Sequence, residues 1–291
     1  MKAPRRALSW ARSVLGRGAR IERSVSLTGG ITGRVTALDA IDAERKRLRL
    51  VLKLYRPDPE ELDSARREAH VLMLLADSGL PVPRMIAVDP EGAECGWPAL
   101  LMTRMPGSRR MRPRDLAPWL HELAQLAARI HATPIPSSEL SPYEPWGLED
   151  PLPVPRWWSD PGVWRTAVEV AKGPEPDEPL TFIHRDFHPG NVLWSGARPS
   201  SIVDWLHGCW GSPSVDLAHC RINLWLDHGP AAAERLLNAY RQIRPDLEDF
   251  NPYWDIVDAL GWIPKPKRDG LTRVRRYESF VTAAVRSLDS R

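Results

Sequence analysis

Near residue 106 the hydrophobic spacing changes period, and this constrains the fold more than any other feature of the chain. Upstream, Ile21–Leu27, Arg34–Ala40 and Leu48–Tyr55 read as strands, with a Gly-containing turn, Thr28–Gly33, between the first two. Pro59–Ser78 reads as a helix. Asp58 or Pro59 opens it, Glu60, Glu61 and Asp63 make its first turn acidic, and Leu62, Ala65, Ala69, Leu72 and Met73 form its apolar stripe. Two more strands are expected in residues 80–105, the second being Ala99–Thr103. Pro106-Gly107 then punctuates the chain and helical spacing takes over. Leu116–His131 places Leu120, Leu123, Ala124, Ala127 and Ile130 on one face. Short helical pieces follow around Trp157–Lys172, and two helices are expected near 214–228 and 230–243. Residues 250–291 carry no decisive pattern. The expected class is α+β in two lobes: residues 1–105, small and β-rich with one helix, and residues 106–291, larger and mainly helical.

Composition narrows the function classes. Hydrophobic residues are 43% and charged residues 26% of 291, which are globular proportions. No run approaches the roughly 18 uncharged apolar residues of a membrane span. The basic start lacks the apolar core of a secretory signal and reads as an amphipathic first helix or a frayed terminus rather than an Arg-rich transit peptide. Three cysteines without CxxC spacing, Cys95, Cys209 and Cys220, fit a reducing cytoplasm. The net charge of +3 is too small to call for nucleic acid, and no membrane partner is expected. The charge is uneven: 18 basic and 13 acidic residues lie at or before Met105, against 22 and 24 after it. Only six of the 40 basic residues are Lys, so a Lys inside an apolar strand, Lys53, stands out.

Chemistry concentrates in His184-Arg185-Asp186-Phe187-His188-Pro189-Gly190-Asn191 and in Ile202-Val203-Asp204-Trp205. Val192–Trp194 and Ser201–Val203 flank a turn and are expected to pair as a hairpin, bringing Asn191 and Asp204 close beside Asp186. Two carboxylates and an amide oxygen are hard donors that suit Mg²⁺. A carboxylate left off the metal can orient a hydroxyl and accept its proton.

This arrangement resembles the kinase catalytic loop H-R-D-x-x-x-x-N with its following metal-binding Asp. It resembles more closely the aminoglycoside phosphotransferase and choline kinase family, which shows H-x-D-x-x-x-x-N, an I-D-W-like strand end and a further D-L-A, here Asp216-Leu217-Ala218. The resemblance covers roughly residues 20–230. It implies a bilobal, protein-kinase-like fold and ATP-dependent phosphoryl transfer to a hydroxyl of a small molecule. The candidates are an aminoglycoside, a macrolide, a choline-like amine, a sugar or another metabolite. In that reading Asp186 is catalytic, and Asn191 and Asp204 hold Mg²⁺. Lys53, fixed by Glu68 fifteen residues on, holds the ATP phosphates, while Gly29, Gly30, Thr32 and Gly33 cover them. Met102, Thr103 and Met105 face the adenine, and His184 and Asp216 brace the loop. The enzyme is expected as a monomer or homodimer. Gly is common in antibiotic kinases where Arg185 stands, a departure that bears on substrate class and not on reaction type.

Simpler readings stand beside these. His188 is either an exposed loop residue or a substrate contact, and His131 is structural. His184 and His188 lack an evident third ligand for zinc. Arg109–Arg114 reads as a solvated turn rather than a nucleic-acid patch. Trp146, Trp157, Trp158 and Trp164 either pack a core or line the acceptor pocket. Two rivals remain: a protein kinase, disfavoured because twelve positions from Asp204 to Asp216 leave no room for a long activation loop, and a non-catalytic nucleotide-binding scaffold.

Overall fold

The computed structural model describes residues 4–27, 33–56, 63–148, 151–246 and 250–289. The chain divides into two compact units. One holds residues 1–108 together with 193–195 and 200–207; the other holds 109–192, 196–199 and 208–291.

In the first unit a five-stranded antiparallel sheet runs in the order β1-β2-β3-β5-β4. Its strands are β1 (Arg20–Leu27), β2 (Gly33–Ile41), β3 (Arg47–Tyr55), β4 (Met85–Asp89) and β5 (Ala99–Thr103). The period of two on the central strand β3 separates its faces. Leu50, Leu52 and Leu54 are buried in one cluster with Ala7, Trp10 and Ala11 of helix α1 (Arg5–Val14). This helix belongs to the unit's core, so the unit has two described helices where one was expected. The small Ala7 and Ala11, four apart, let α1 approach the sheet, and Trp10 fills the space beside them. Lys53 and Tyr55 alternate with these leucines and meet helix α2 (Ser64–Leu74) instead. The expected helix start at 59–62 lies outside the described residues. Within α2 the buried residues include Ala65, Glu68, Ala69, Val71 and Leu72, while Met73 is 56% exposed. The apolar stripe is thus rotated away from Met73, because the inward face must carry Glu68 to Lys53.

Strand β6 is only Ser108–Arg109. Strands β8 (Val192–Ser195) and β9 (Arg198–Ile202) form the expected hairpin, turning at Gly196. The hydroxyls of Ser200 and Ser201 donate to Pro106 O at 2.9 and 3.1 Å, and Ile202 N–H donates to Pro81 O. Gly107, at φ +100°, passes so close to Trp194 and Ser200 that a Cβ would overlap them. The Pro-Gly punctuation is therefore also the seat for the hairpin that delivers Asp204 to this unit.

The second unit is helical. Its helices are α3 (Leu116–His131), α4 (Pro161–Ala171), α5 (Pro213–His228), α6 (Pro230–Ile243), α7 (Tyr253–Leu260), α8 (Pro266–Asp269) and α9 (Leu271–Asp289), and β7 (Thr181–Ile183), paired with β10 (Cys209–Gly211), packs against α3 and α5. Local chemistry sets the starts: Asp115, Asp160 and Ser212 cap α3, α4 and α5 by accepting backbone N–H bonds. The five apolar positions expected on α3 are all buried. Trp158, Trp164 and Tyr277 pack as a core cluster, with Trp158 and Trp164 centroids 4.9 Å apart and Trp157 on its margin. Among the described residues no helix is long and apolar enough to cross a membrane.

Helices α5, α6 and α7 are tied by Arg221, which bonds Asp255 (3.1 Å), Glu234 (3.0 Å) and Ala233 O (3.2 Å). Burial, opposed by Arg221, pushes the Asp255 carboxyl up to about 6. Removing one partner strands a buried charge, so Arg221→Ala should lower the unfolding free energy by about 3–5 kcal/mol in urea titration. A loss below about 1 kcal/mol would show that the pair is dispensable.

Candidate active site

In the first unit the focus is Lys53. Its register on β3, between Val35 of β2 and Leu100 of β5, fixes the start of the side chain. Lys53 Nζ donates to Glu68 Oε2 and to Asp204 Oδ1, both at 2.6 Å, with Lys53 4% and Glu68 1% exposed. Burial works to lower the Lys53 pKa, but Glu68 and Asp204 outweigh it and the group is raised above its ordinary value. Tyr55 O–H donates to the same Glu68 oxygen at 2.6 Å. Tyr55 lies two residues after Lys53 on the same strand face, so strand spacing could have found it. Asp204 sits just past β9 at φ +70°, a conformation that Asp tolerates better than most residues.

The other expected nucleotide contacts fare differently. Gly29, Gly30 and Thr32 lie outside the described residues. At Gly33 a Cβ would overlap the Leu54 carbonyl, which gives this glycine a packing reason of its own. Met102 is buried within β5. Thr103 N–H donates to Arg84 O and Arg104 N–H to Arg49 O, so neither amide is open to an adenine edge, and Met105 follows just past the strand.

In the second unit the loop between β7 and β8 carries the acid. Asp216, fully buried on the first turn of α5, accepts the N–H groups of His184 (2.9 Å) and Arg185 (2.6 Å). Its third partner is His131 Nε2 at 3.1 Å, and His131 Nδ1 lies 2.6 Å from the Tyr240 hydroxyl. With Asp216 accepting at Nε2, His131 accepts from Tyr240 at Nδ1. His184, also buried, accepts the Asp186 N–H at Nδ1 (3.2 Å).

These bonds hold Arg185 at φ +66°, where a non-glycine residue costs roughly 1–2 kcal/mol. Gly at this position would avoid that cost. Arg185 offsets it with its guanidinium, which stacks 4.0 Å over Trp146 and 4.7 Å over Tyr143 and donates to Glu144 O. Trp146 thus differs from the other tryptophans in its stretch: one face receives a cation from the loop itself.

Asp186 follows. Its Oδ2 accepts from Asn191 Nδ2 at 2.8 Å, and its backbone oxygen accepts from the same nitrogen at 2.9 Å. Asn191 spends its N–H₂ here and keeps Oδ1, the atom a cation requires. Asp186 Oδ1 lies 3.0 Å from His219 Nε2, whose Nδ1 lies 2.9 Å from Asp258 Oδ1. Burial works to raise the Asp186 pKa. The hydrogen bond and charge of His219, then His188 and His184, overcome it and hold the carboxyl well below its ordinary range. Burial, followed by the charges of His219 and His184, pushes His188 down to about 4 against the pull of Asp186.

Neither His219 nor Asp258 was among the expected site residues. His219 stands three residues after Asp216, one helical turn along the same face, a spacing that could have raised it. Asp258 lies 39 residues beyond His219 and carries no local signal. Asp186, His188 and His219 are also, among the described residues, the one group of acidic and imidazole side chains compact enough for a metal, within 4.8 Å. The tautomers argue otherwise. His188 Nδ1 accepts from Gly190 N–H, so its Nε2 carries the proton, and both nitrogens of His219 face carboxylates. The donor types that suit Mg²⁺ are an amide oxygen, present on Asn191 in this unit, and a carboxylate, present on Asp204 in the first.

Burial opposes charge on His219, yet Asp258 and Asp186 raise its pKa well above the ordinary 6.5. The folded state therefore binds this proton more tightly than the unfolded chain. The resulting stabilisation is full below the unfolded value and fades as pH rises through the folded one. The unfolding free-energy gap between wild type and His219→Gln should be larger at about pH 6 than at about pH 9 in denaturant titrations. A gap independent of pH would contradict a charged His219.

The sequence profile of the family described as "Phosphotransferase enzyme family" (APH) matches residues 32–259. Homoserine kinase from Pseudomonas aeruginosa (strain UCBPP-PA14) is 28% identical over 227 residues, covering 72% of this chain and 70% of the relative. A ternary complex of a thermostable mutant of aminoglycoside phosphotransferase APH(4)-Ia with ADP and hygromycin B superposes with a TM-score of 0.65 at 19% identity. It covers 92% of this chain and 94% of that one. Macrolide 2'-phosphotransferase MphH from Brachybacterium faecium gives a TM-score of 0.57 at 18% identity, covering 97% and 92%. The chain has the kinase-like fold of these enzymes and belongs to the phosphotransferase enzyme family.

Proposed function

We propose that this protein transfers the γ-phosphoryl group of ATP to a hydroxyl of a small molecule. The single observation that carries the reading is the Asp186 carboxylate, kept ionised and held by donors on both oxygens. The acceptor hydroxyl would hydrogen-bond to Asp186 and give it its proton. As the new oxygen–phosphorus bond forms, the bond from the γ-phosphorus to the ADP oxygen breaks. Lys53, held by Glu68, would neutralise phosphate oxygens, and Asn191 and Asp204 would hold Mg²⁺. When bound, the cation supplies charge neutralisation for the phosphates. Most of the rate enhancement would come from positioning and electrostatics, since phosphoryl transfer asks for little covalent chemistry from the protein.

The path from Asp204 to Asp216 favours a small acceptor over a protein. Its residues are spent on a single 3₁₀ turn (Trp205–His207), β10 and the start of α5, leaving no activation segment to present a peptide. The loop's own Arg185 takes up the aromatic faces of Tyr143 and Trp146, which argues against a cationic acceptor stacked there. Among acceptors, a small amino alcohol such as homoserine is favoured by the sequence relatives, ahead of the bulkier antibiotics named for the structural neighbours.

ATP consumption should therefore be screened over homoserine, choline, hygromycin B, streptomycin and a macrolide. Asp186→Ala should abolish turnover of the responding acceptor while Mg²⁺–ATP binding by calorimetry survives. Wild-type-like phosphorylation by that variant would remove Asp186 from the chemistry.

A further inference from the structure

His219 and Asp258 form a pair behind Asp186 whose own part in the reaction the phosphotransfer reading leaves unassigned. Asp186 has one fixed donor on each oxygen: Asn191 Nδ2 on Oδ2 at 2.8 Å and His219 Nε2 on Oδ1 at 3.0 Å. Asn191 comes from the loop itself, whereas His219 comes from α5. An imidazole with an acceptor at each nitrogen is satisfied only when it carries a proton on each, and Asp258 supplies the second acceptor at 2.9 and 3.2 Å. His188 faces the same Asp186 oxygen from 3.8 Å, beyond hydrogen-bond reach.

Helix α5 therefore grips the loop at two points one turn apart. Asp216 takes the backbone N–H groups of His184 and Arg185 and fixes where the loop lies. His219 takes the side chain of Asp186 and fixes how its carboxylate is turned. A carboxylate oxygen has two lone-pair positions, so each oxygen keeps one after its donor is bound.

We propose that His219 and Asp258 are positioning residues for phosphoryl transfer: Asp258 sets the His219 ring, and His219 turns Asp186 so that its remaining lone pair meets the acceptor hydroxyl. His219 keeps both of its protons throughout and donates none to the reaction. The inference rests on Asp186 being the group that receives the hydroxyl.

The test compares His219→Leu, His219→Gln and Asp258→Asn, with Asp186→Asn as background, using the acceptor that the screen identifies. His219→Leu should lower kcat on the order of 10²-fold, as for a reacting group left unpositioned. Its KM for ATP should stay near wild type. His219→Gln keeps an N–H at similar reach and should recover to within about tenfold of wild type. Asp258→Asn should fall between the two. Residues acting through one group are non-additive, so in Asp186→Asn the Leu substitution should cost at most about a further twofold.

Wild-type kcat in His219→Leu would overturn the proposal, as would equal losses with and without Asp186, or no recovery by Gln. ¹H–¹⁵N spectra of the unmodified protein provide a check that needs no variant: both His219 ring nitrogens should be protonated near neutral pH, and a neutral ring would overturn the pairing. An Asp186→Asn enzyme with wild-type kcat would instead remove the functional reading beneath. That differs from an inactive Asp186→Asn beside a fully active His219→Leu, which overturns the positioning role alone.

Discussion

A buried ammonium between two carboxylates sets the terms for the first unit. Lys53 cannot be sequestered on a central strand without partners, and Glu68 and Asp204 provide them at 2.6 Å each. The partners differ in kind. Glu68 is 1% exposed and also receives the Tyr55 hydroxyl, so it is a permanent counter-charge. The Asp204 side chain is 37% exposed and comes from a hairpin tail seated on Pro106. In the proposed reaction Lys53, with Glu68 as its lasting partner, would neutralise phosphate oxygens, and the more exposed Asp204 would hold Mg²⁺.

The second unit solves a matching problem with opposite charge. Asp186 must remain ionised although partly buried, and a loop containing Pro189 and Gly190 cannot hold it by helical bonding. Helix α5 does so from outside, through Asp216 and His219, while Arg185 accepts a left-handed backbone in return for stacking on Tyr143 and Trp146. Gly in place of Arg185 would make the backbone easier but would leave those aromatic faces without their cation. The departure from the family pattern at this position is therefore coupled to the segment containing Tyr143 and Trp146.

Much of this was legible in the chain because the signals are local. Asp186 and Asn191 are five apart and the hairpin that precedes Asp204 is short, while the pairing of Lys53 with Glu68 is what the family resemblance implies. The features that escaped depend on packing. The basic start reads as an amphipathic first helix or a frayed terminus, and Ala7, Trp10 and Ala11 do not decide between them until a sheet face lies beneath them. Asp258 reaches His219 across 39 residues, and only the packing of α7 on α5 brings them together. The tryptophans could not be sorted by composition. Trp158 and Trp164 enter the core beside Tyr277, whereas Trp146 meets Arg185 and the His219 ring edge.

The most direct test of the central claim is ³¹P NMR of Mg²⁺-dependent transfer from ATP to the responding acceptor, by wild type and by Lys53→Met. Met preserves the stem of the side chain and removes only the charge. Wild type should convert the γ-phosphate signal into that of an acceptor phosphomonoester. Lys53→Met should do so more slowly by on the order of 10²- to 10³-fold in kcat/KM, the loss typical of one preorganised electrostatic donor. Transfer by Lys53→Met at the wild-type rate, or release of the γ-phosphate only as inorganic phosphate by wild type with every acceptor, would contradict it.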